Sequence, residues 1–222
     1  MFFDLDGTLT DSRDGITRCI EYALEQLGAR VPALDALRQY VGPPLPGSFA
    51  TLLNTSDPEP VERAIAAYRE RFERIGMFEN RLYPGTSDAL NDLVADGRRL
   101  CLVTAKPRVY ARRILEHFGL LALFREVYGP ELASRDYTKT SLIAAACAGE
   151  HADPRLSMMI GDRGEDVLGA RENGLLSIAV NWGYSEPGEL EVSAPDRIVT
   201  STRELVEYIR HAADMTTHTT RR

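Results

Sequence analysis

Two carboxylates stand two residues apart near the start of the chain, in Phe2-Phe3-Asp4-Leu5-Asp6-Gly7-Thr8-Leu9-Thr10-Asp11-Ser12. In extended chain that spacing puts both on one side, close enough to share a cation or to divide the roles of nucleophile and acid. Gly7 lets the backbone turn where a ligand would approach. Further on, Thr104, Lys139, Asp162 and Asp166 each stand near the end of an apolar run or the start of a helical pattern. A phosphomonoester carries two negative charges, so a carboxylate nucleophile reaches it only where cations neutralise the repulsion. Carboxylate clusters suit Mg²⁺, Lys139 adds a compact positive charge, and the Thr104 hydroxyl and Ala105 N–H are donors for phosphoryl oxygens. Taken singly, each has an ordinary role. Lys139 starts a helix, Thr104 caps one, and Asp162 and Asp166 are a cap and a first-turn acid. Their joint occurrence, in one order and at one kind of location, is what chance does not supply.

The elements that must position these residues are legible from periodicity. Phe2, Phe3 and Leu5 read as a short buried strand, and so little chain precedes Asp4 that this strand is expected to lack its N-terminal half, as with a late start site. Residues 13–83 read as a helical insertion without strands. Asp14 is placed to cap a helix bearing Ile16, Ile20, Ala23, Leu24 and Leu27, and further helices are expected near 33–40, 47–53 and 58–76. From 84 the rhythm changes to strands at about 99–104, 126–129, 156–160, 176–180 and 197–199. These alternate with helices at about 86–96, 108–118, 138–148, 165–173 and 202–213, with Pro107 suited to the first helical position. Such alternation predicts an α/β fold: a Rossmann-like parallel sheet core, 1–12 plus 84–215, with an inserted all-helical cap subdomain, 13–83, and a flexible tail, 216–222. In that fold ligands bind at the carboxyl ends of the strands, where the candidate residues stand.

Composition narrows the classes. The 222 residues are 44% hydrophobic and 27% charged, as in an ordinary globular domain. A net charge of −7 argues against a nucleic-acid polymer as partner, because phosphate-backbone contacts need clustered Lys and Arg. No apolar run approaches the ~18 residues of a membrane span. With a catalytic candidate at residue 4, no signal peptide is expected ahead of it. The three cysteines, Cys19, Cys101 and Cys147, fit reduced thiols and a cytoplasmic location.

Asp4-x-Asp6, Thr104, Lys139 and Gly161-Asp162-x-x-x-Asp166 together resemble motifs I to IV of the haloacid dehalogenase (HAD) superfamily of phosphatases, in order and over nearly the full chain. Residues 13–83 sit where the helical cap of the phosphoglycolate phosphatase-like branch is inserted. Val41-Gly42-Pro43-Pro44-Leu45, Thr104-Ala105-Lys106-Pro107, Gly161-Asp162-Arg163 and Asn181-Trp182-Gly183-Tyr184 are similar to strings of bacterial HAD 5′-nucleotidase-like proteins. The resemblance implies a phosphoric monoester hydrolase with Asp4 as the nucleophile that forms an aspartyl-phosphate and Asp6 as general acid, then base. It also implies Mg²⁺ held by the Asp4 carboxylate, the Asp6 main-chain carbonyl and Asp162 with Asp166 in support, and a phosphoryl group bound by Thr104, Ala105 and Lys139. Arg18, Gly42, Pro43 and Lys106 would face the non-reacting part of the substrate. The cap is expected to open and close about 11–14 and 80–84. Three departures stand out: Ala105 where Ser or Asn is common, Gly164-Glu165 where a bulkier residue and His are common, and Ser185 where Gly is common.

Within the superfamily, Asp6 favours phosphate chemistry over dehalogenation, because an alkoxide leaving group needs a proton and a halide does not. A phosphonatase needs a cap lysine, and residues 13–83 contain none. The expected substrate is a small phosphorylated metabolite, a nucleoside 5′-monophosphate first and 2-phosphoglycolate second. Phosphotransfer to another acceptor, as in a phosphomutase, or a binding-only protein on the same scaffold are the alternatives.

Overall fold

The computed structural model describes residues 1–134 and 136–219, with side chains described through Ala212. The chain divides into two compact units: Met1–Thr10 with Leu82–Arg222, and Asp11–Arg81.

The first unit is built on a six-stranded sheet of β1 (Phe2–Phe3), β4 (Leu100–Val103), β5 (Phe124–Tyr128), β6 (Met158–Gly161), β7 (Leu176–Val180) and β8 (Arg197–Val199). The order across the sheet is β5-β4-β1-β6-β7-β8, and every pair is parallel. Helices α5 (Thr86–Ala95), α6 (Arg108–His117), α7 (Lys139–Gly149), α8 (Gly164–Glu172) and α10 (Thr202–Thr219) connect or follow the strands. With both faces covered, the strands are continuous apolar runs, not alternating ones: every residue of β1, β4 and β6 is buried. The α/β core is therefore as expected from the sequence.

The strand order places the ligand crevice. From β1 the chain fills β4 and β5 on one side, then crosses to β6, β7 and β8 on the other. The reversal opens a crevice beyond the carboxyl ends of β1, β4 and β6. Register aligns those ends: Phe3 stands opposite both Leu102 and Ile160, so Asp4, Val103 and Gly161 share the next level.

The second unit is helical. It holds α1 (Arg13–Gln26), α2 (Leu34–Leu37), α3 (Leu45–Leu52) and α4 (Pro58–Arg74). The apolar stripe of α1, Ile16, Ile20, Ala23 and Leu24, is buried, as are Val61, Ala64, Ile65, Tyr68 and Phe72 of α4. Asp57 caps α4 by accepting the Glu59 N–H at 3.0 Å. Phe49, Tyr68 and Phe72 are buried and packed ring against ring, an internal core and not an exposed stacking platform.

Several local expectations need correction. Thr10–Asp11 (β2) and Arg81–Leu82 (β3) form a two-stranded sheet, so the 13–83 segment is not free of strand. Two residues show no period, and only the long-range pairing reveals them. Asp14 does not cap α1; Ser12 is at the N-cap position and Asp14 lies in the first turn. Pro107 is the N-cap of α6, with extended backbone, not its first helical residue. The strand expected at 126–129 begins earlier, at Phe124. A short helix, α9 (Glu189–Ser193), occupies what reads as loop. Helix α10 runs to Thr219, beyond the expected 213, and 220–222 of the 216–222 tail lie outside the described residues.

Phe3 packs edge-on against Phe124, with ring centroids 6.3 Å apart, and is fully enclosed. Phe3→Ala should destabilise the protein by about 3–5 kcal/mol, the cost of a large buried cavity. Urea unfolding measures it, and a loss under about 1 kcal/mol would show that the strand entry is not anchored by this ring.

Candidate active site

The sheet register delivers Asp4, Thr104 and Asp162 to one crevice, each just beyond its strand. Asp4 keeps the ladder one residue further, its N–H donating to the Ile160 carbonyl at 2.9 Å. The chain then leaves the extended conformation. The Leu5 carbonyl accepts from the N–H groups of Leu9 and Thr10 at 2.9 and 3.0 Å. This tight loop follows the Asp-x-Asp pair, with Asp6 bridged to Thr10, and the two carboxylates have separate partners.

Asp4 is held by Lys139, the first residue of α7. Thr138 caps that helix, accepting the Ser141 N–H while Ser141 Oγ accepts the Thr138 N–H. The cap aims Lys139 Nζ inward, 2.8 Å from Asp4 Oδ1, 2.8 Å from Asp166 Oδ1 and 3.1 Å from the Val103 carbonyl it donates to. Burial by itself would drive the Lys139 ammonium toward neutrality, but Asp166 and Asp4 outweigh it and hold its pKa above the ordinary lysine value.

Asp162 is fully buried, with no ammonium partner among the described residues. Its Oδ1 accepts the Thr8 hydroxyl at 2.9 Å and its Oδ2 accepts the Tyr184 N–H at 2.7 Å. A Cβ on Gly7 or on Gly183 would overlap this carboxylate, so both loops close on it only because each presents bare backbone. Trp182 donates its indole N–H to the Thr8 carbonyl at 3.1 Å and ties the loops together. Desolvation, then the charges of Asp4 and Asp166, push the Asp162 carboxyl well above its usual range. Asp166 is pushed up to about 6, by burial first and by Asp4, against the opposing pull of Lys139.

Asp6 faces a second lysine. Lys106 Nζ is 2.9 Å from Asp6 Oδ2. Thr104 accepts the Lys106 N–H on its hydroxyl at 3.2 Å, and the Ala105 carbonyl accepts the Tyr137 hydroxyl at 3.3 Å.

Asp4, Asp162 and Asp166 form a group in which one carboxylate oxygen from each lies within 4.8 Å of the others. The Asp6 carboxylate is not in it. Hard oxygen donors, buried and held from behind, suit a divalent cation. The charge count agrees: four carboxylates (Asp4, Asp6, Asp162, Asp166) meet two ammoniums (Lys106, Lys139). With all four ionised a deficit of two positive charges remains at a buried site. It is this ionised state, which burial opposes at Asp162 and Asp166, that a divalent cation would stabilise.

The crevice thus brings together Asp4, Asp6, Thr104, Ala105, Lys106, Lys139, Asp162 and Asp166. The remaining candidates, Arg18, Gly42 and Pro43, belong to the helical unit. Arg18 on α1 is paired there with Glu79 at 2.8 Å, and Gly42 and Pro43 lie in the turn before α3. Three contributors were not singled out as site residues from the sequence. Thr8 and Tyr184 carry Asp162, and Glu189 accepts the Gly164 N–H at 2.7 Å and Arg163 Nε at 2.9 Å, fixing the start of α8. Thr8 lies inside the Asp-x-Asp-Gly-Thr string, which was the available signal. Nothing local marks Glu189.

A family model described as haloacid dehalogenase-like hydrolase matches residues 1–180. A 5′-nucleotidase of Pseudomonas aeruginosa is 40% identical over 195 residues, 88% of each chain. Tyrosine-protein kinase PtkA of Mycobacterium tuberculosis is 39% identical over 184 residues, 83% of this chain and 62% of its own. A crystal structure of a predicted phosphatase from Clostridium acetobutylicum superposes with a TM-score of 0.87 at 40% identity, over 95% of this chain and 97% of the other.

The carboxyls of Asp162 and Asp166 have folded-state pKa values above their unfolded ones. In ion-free protein they therefore favour folding below about pH 4; the Asp166 contribution is lost as pH rises through about 6, and the Asp162 contribution is likewise lost as pH rises through its own raised value. A divalent cation needs the deprotonated forms and reverses the loss. Mg²⁺ should therefore raise Tm more at about pH 7.5 than at about pH 5, and Asp162→Ala should abolish the rise. A Tm gain that is the same at both pH values would rule out these carboxylates as the ion site.

Proposed function

The chain belongs to the haloacid dehalogenase-like hydrolases and is a phosphoric monoester hydrolase, and on that premise we propose that it cleaves a nucleoside 5′-monophosphate through an aspartyl-phosphate on Asp4. One observation carries the assignment of the nucleophile. Asp4 stands at the topological switch point with one oxygen pinned by a buried ammonium, and such nearby positive charge is what lets a carboxylate approach a phosphate dianion.

On this reading the substrate phosphoryl group lies against Lys139, the Thr104 hydroxyl and the Ala105 N–H. Asp4 attacks phosphorus in line as the ester oxygen departs, and Asp6 gives that oxygen a proton. Asp6, now a carboxylate, takes a proton from the water that attacks the aspartyl-phosphate. Phosphate leaves, and both acids return to their starting states. Mg²⁺, held by the Asp4 carboxylate, the Asp6 carbonyl and Asp162 with Asp166 behind them, would supply the positive charge that phosphoryl oxygens need. The departure at Ala105 leaves its main-chain N–H intact. Glu189, gripping Gly164 and Arg163, supports the start of α8 where Gly164-Glu165 departs from the family pattern.

A second reading, transfer of the phosphoryl group to an acceptor other than water, is favoured by the similarity to PtkA. It uses the same aspartyl-phosphate and differs only in the group that resolves it.

Asp4→Asn should lower Mg²⁺-dependent hydrolysis of p-nitrophenyl phosphate by at least about a thousandfold. Retention of more than about a tenth of wild-type activity would remove Asp4 as nucleophile. Phosphate release from nucleoside 5′-monophosphates, 2-phosphoglycolate and hexose phosphates separates the substrate classes. A kcat/KM at least about tenfold higher for the nucleotides is expected, and preference for 2-phosphoglycolate would overturn the nucleotide assignment. Slow release from all three, with rapid transfer to a tyrosine peptide, would select the second reading.

A further inference from the structure

The Asp6–Lys106 pair is not explained by the reading above, which gives Lys106 no part in the chemistry. The two side chains meet at 2.9 Å with 16% and 7% of their surface exposed, so this is a shielded pair and not a surface one. Only one carboxylate oxygen is engaged. Lys106 meets Asp6 Oδ2, while Asp6 Oδ1 is buried and accepts no hydrogen bond from any described residue.

We infer that Lys106 is the positioning residue of the Asp6 carboxylate: it pins Oδ2 and leaves Oδ1 as the atom that exchanges the proton with the leaving-group oxygen and, later, with water. The inference rests on Asp6 being the acid–base group. The terminal torsion of an aspartate is broad, so an untethered carboxylate presents either oxygen over a range of angles. A fixed ammonium on one oxygen narrows that range, and the orientation of a proton donor is worth rate in the same way as that of any reacting group.

Lys106 is itself well anchored. Its own N–H donates to the Thr104 hydroxyl. The Ala105 carbonyl accepts the Tyr137 hydroxyl, and the Arg108 N–H donates to the Pro130 carbonyl at 2.9 Å. One turn therefore presents both the phosphate-side donors of Thr104 and Ala105 and the ammonium that orients the acid. The two lysines also divide the carboxylates between them. Lys139 holds Asp4 and Lys106 holds Asp6, which keeps nucleophile and acid from competing for one cation.

The rival role, direct contact of Lys106 with the distal part of the substrate, fits poorly with a side chain that is 7% exposed and whose ammonium is engaged with Asp6. The two roles give different kinetics. If Lys106 acts through Asp6, Lys106→Met should lower kcat about a hundredfold on an alkyl phosphate, whose leaving oxygen is basic, and by about fivefold or less on p-nitrophenyl phosphate, with KM within about twofold on both. Asp6→Asn should show the same leaving-group bias, and the double variant should be no slower than Asp6→Asn alone. Lys106→Cys treated with 2-bromoethylamine, which restores an ammonium on an already folded protein, should recover at least about tenfold in kcat on the alkyl phosphate, with similarly treated wild type as control.

A rise in KM alone, an additive double variant, or no recovery on alkylation would overturn the positioning role while leaving Asp6 as acid. Equal losses on both substrates in Asp6→Asn would overturn the acid–base reading and this inference with it.

Discussion

A lysine ammonium taken wholly out of water is tolerated only where anions surround it, and Lys139 is such a group. It joins Asp4, just beyond the first strand, and Asp166 from α8 across more than half of the chain. Removing Lys139 leaves two buried carboxylates without their ammonium, and breaking a buried pair in this way costs about 3–5 kcal/mol in comparable interiors. That constraint explains much of the surrounding architecture. The capping box at Thr138 and Ser141 sets where α7 begins, the register of β1 with β4 and β6 sets the level of Asp4, and the Arg163 N–H steadies the far oxygen of Asp166 at 3.1 Å.

Asp162 is satisfied differently, and the contrast bears on the chemistry. Its donors are neutral, a threonine hydroxyl and a backbone N–H. Neutral donors orient a carboxylate without cancelling its charge. The site therefore keeps negative charge to give to a cation, whereas an ammonium on Asp162 would have cancelled part of it. Tight approach of two glycine-containing loops makes this orientation possible.

Much of this was readable in the chain. The α/β alternation, the apolar strands and the helical stripes of α1 and α4 all follow from periodicity, because buried parallel strands and amphipathic helices each impose a pattern on consecutive residues. Strands β2 and β3 escaped, since two residues carry no pattern and exist only as partners of each other. Helix α9 escaped for a related reason. It is one turn long, and the consequence of its placement, Glu189 closing on Arg163 and Gly164, depends on residues 25 and 26 positions away.

Residue types and their order determined the class of chemistry: an Asp-x-Asp pair, a threonine, a lysine and a spaced pair of aspartates mark phosphate chemistry at strand ends. Tertiary structure alone decided how the charges are apportioned. The sequence offers Asp4 and Asp6 as neighbours two residues apart, and the fold gives Asp4 to Lys139 and Asp6 to Lys106. The physical reason is that Coulomb partners are chosen by distance in space, within a few ångströms, and a folded chain sets those distances by sheet order and register and not by sequence separation.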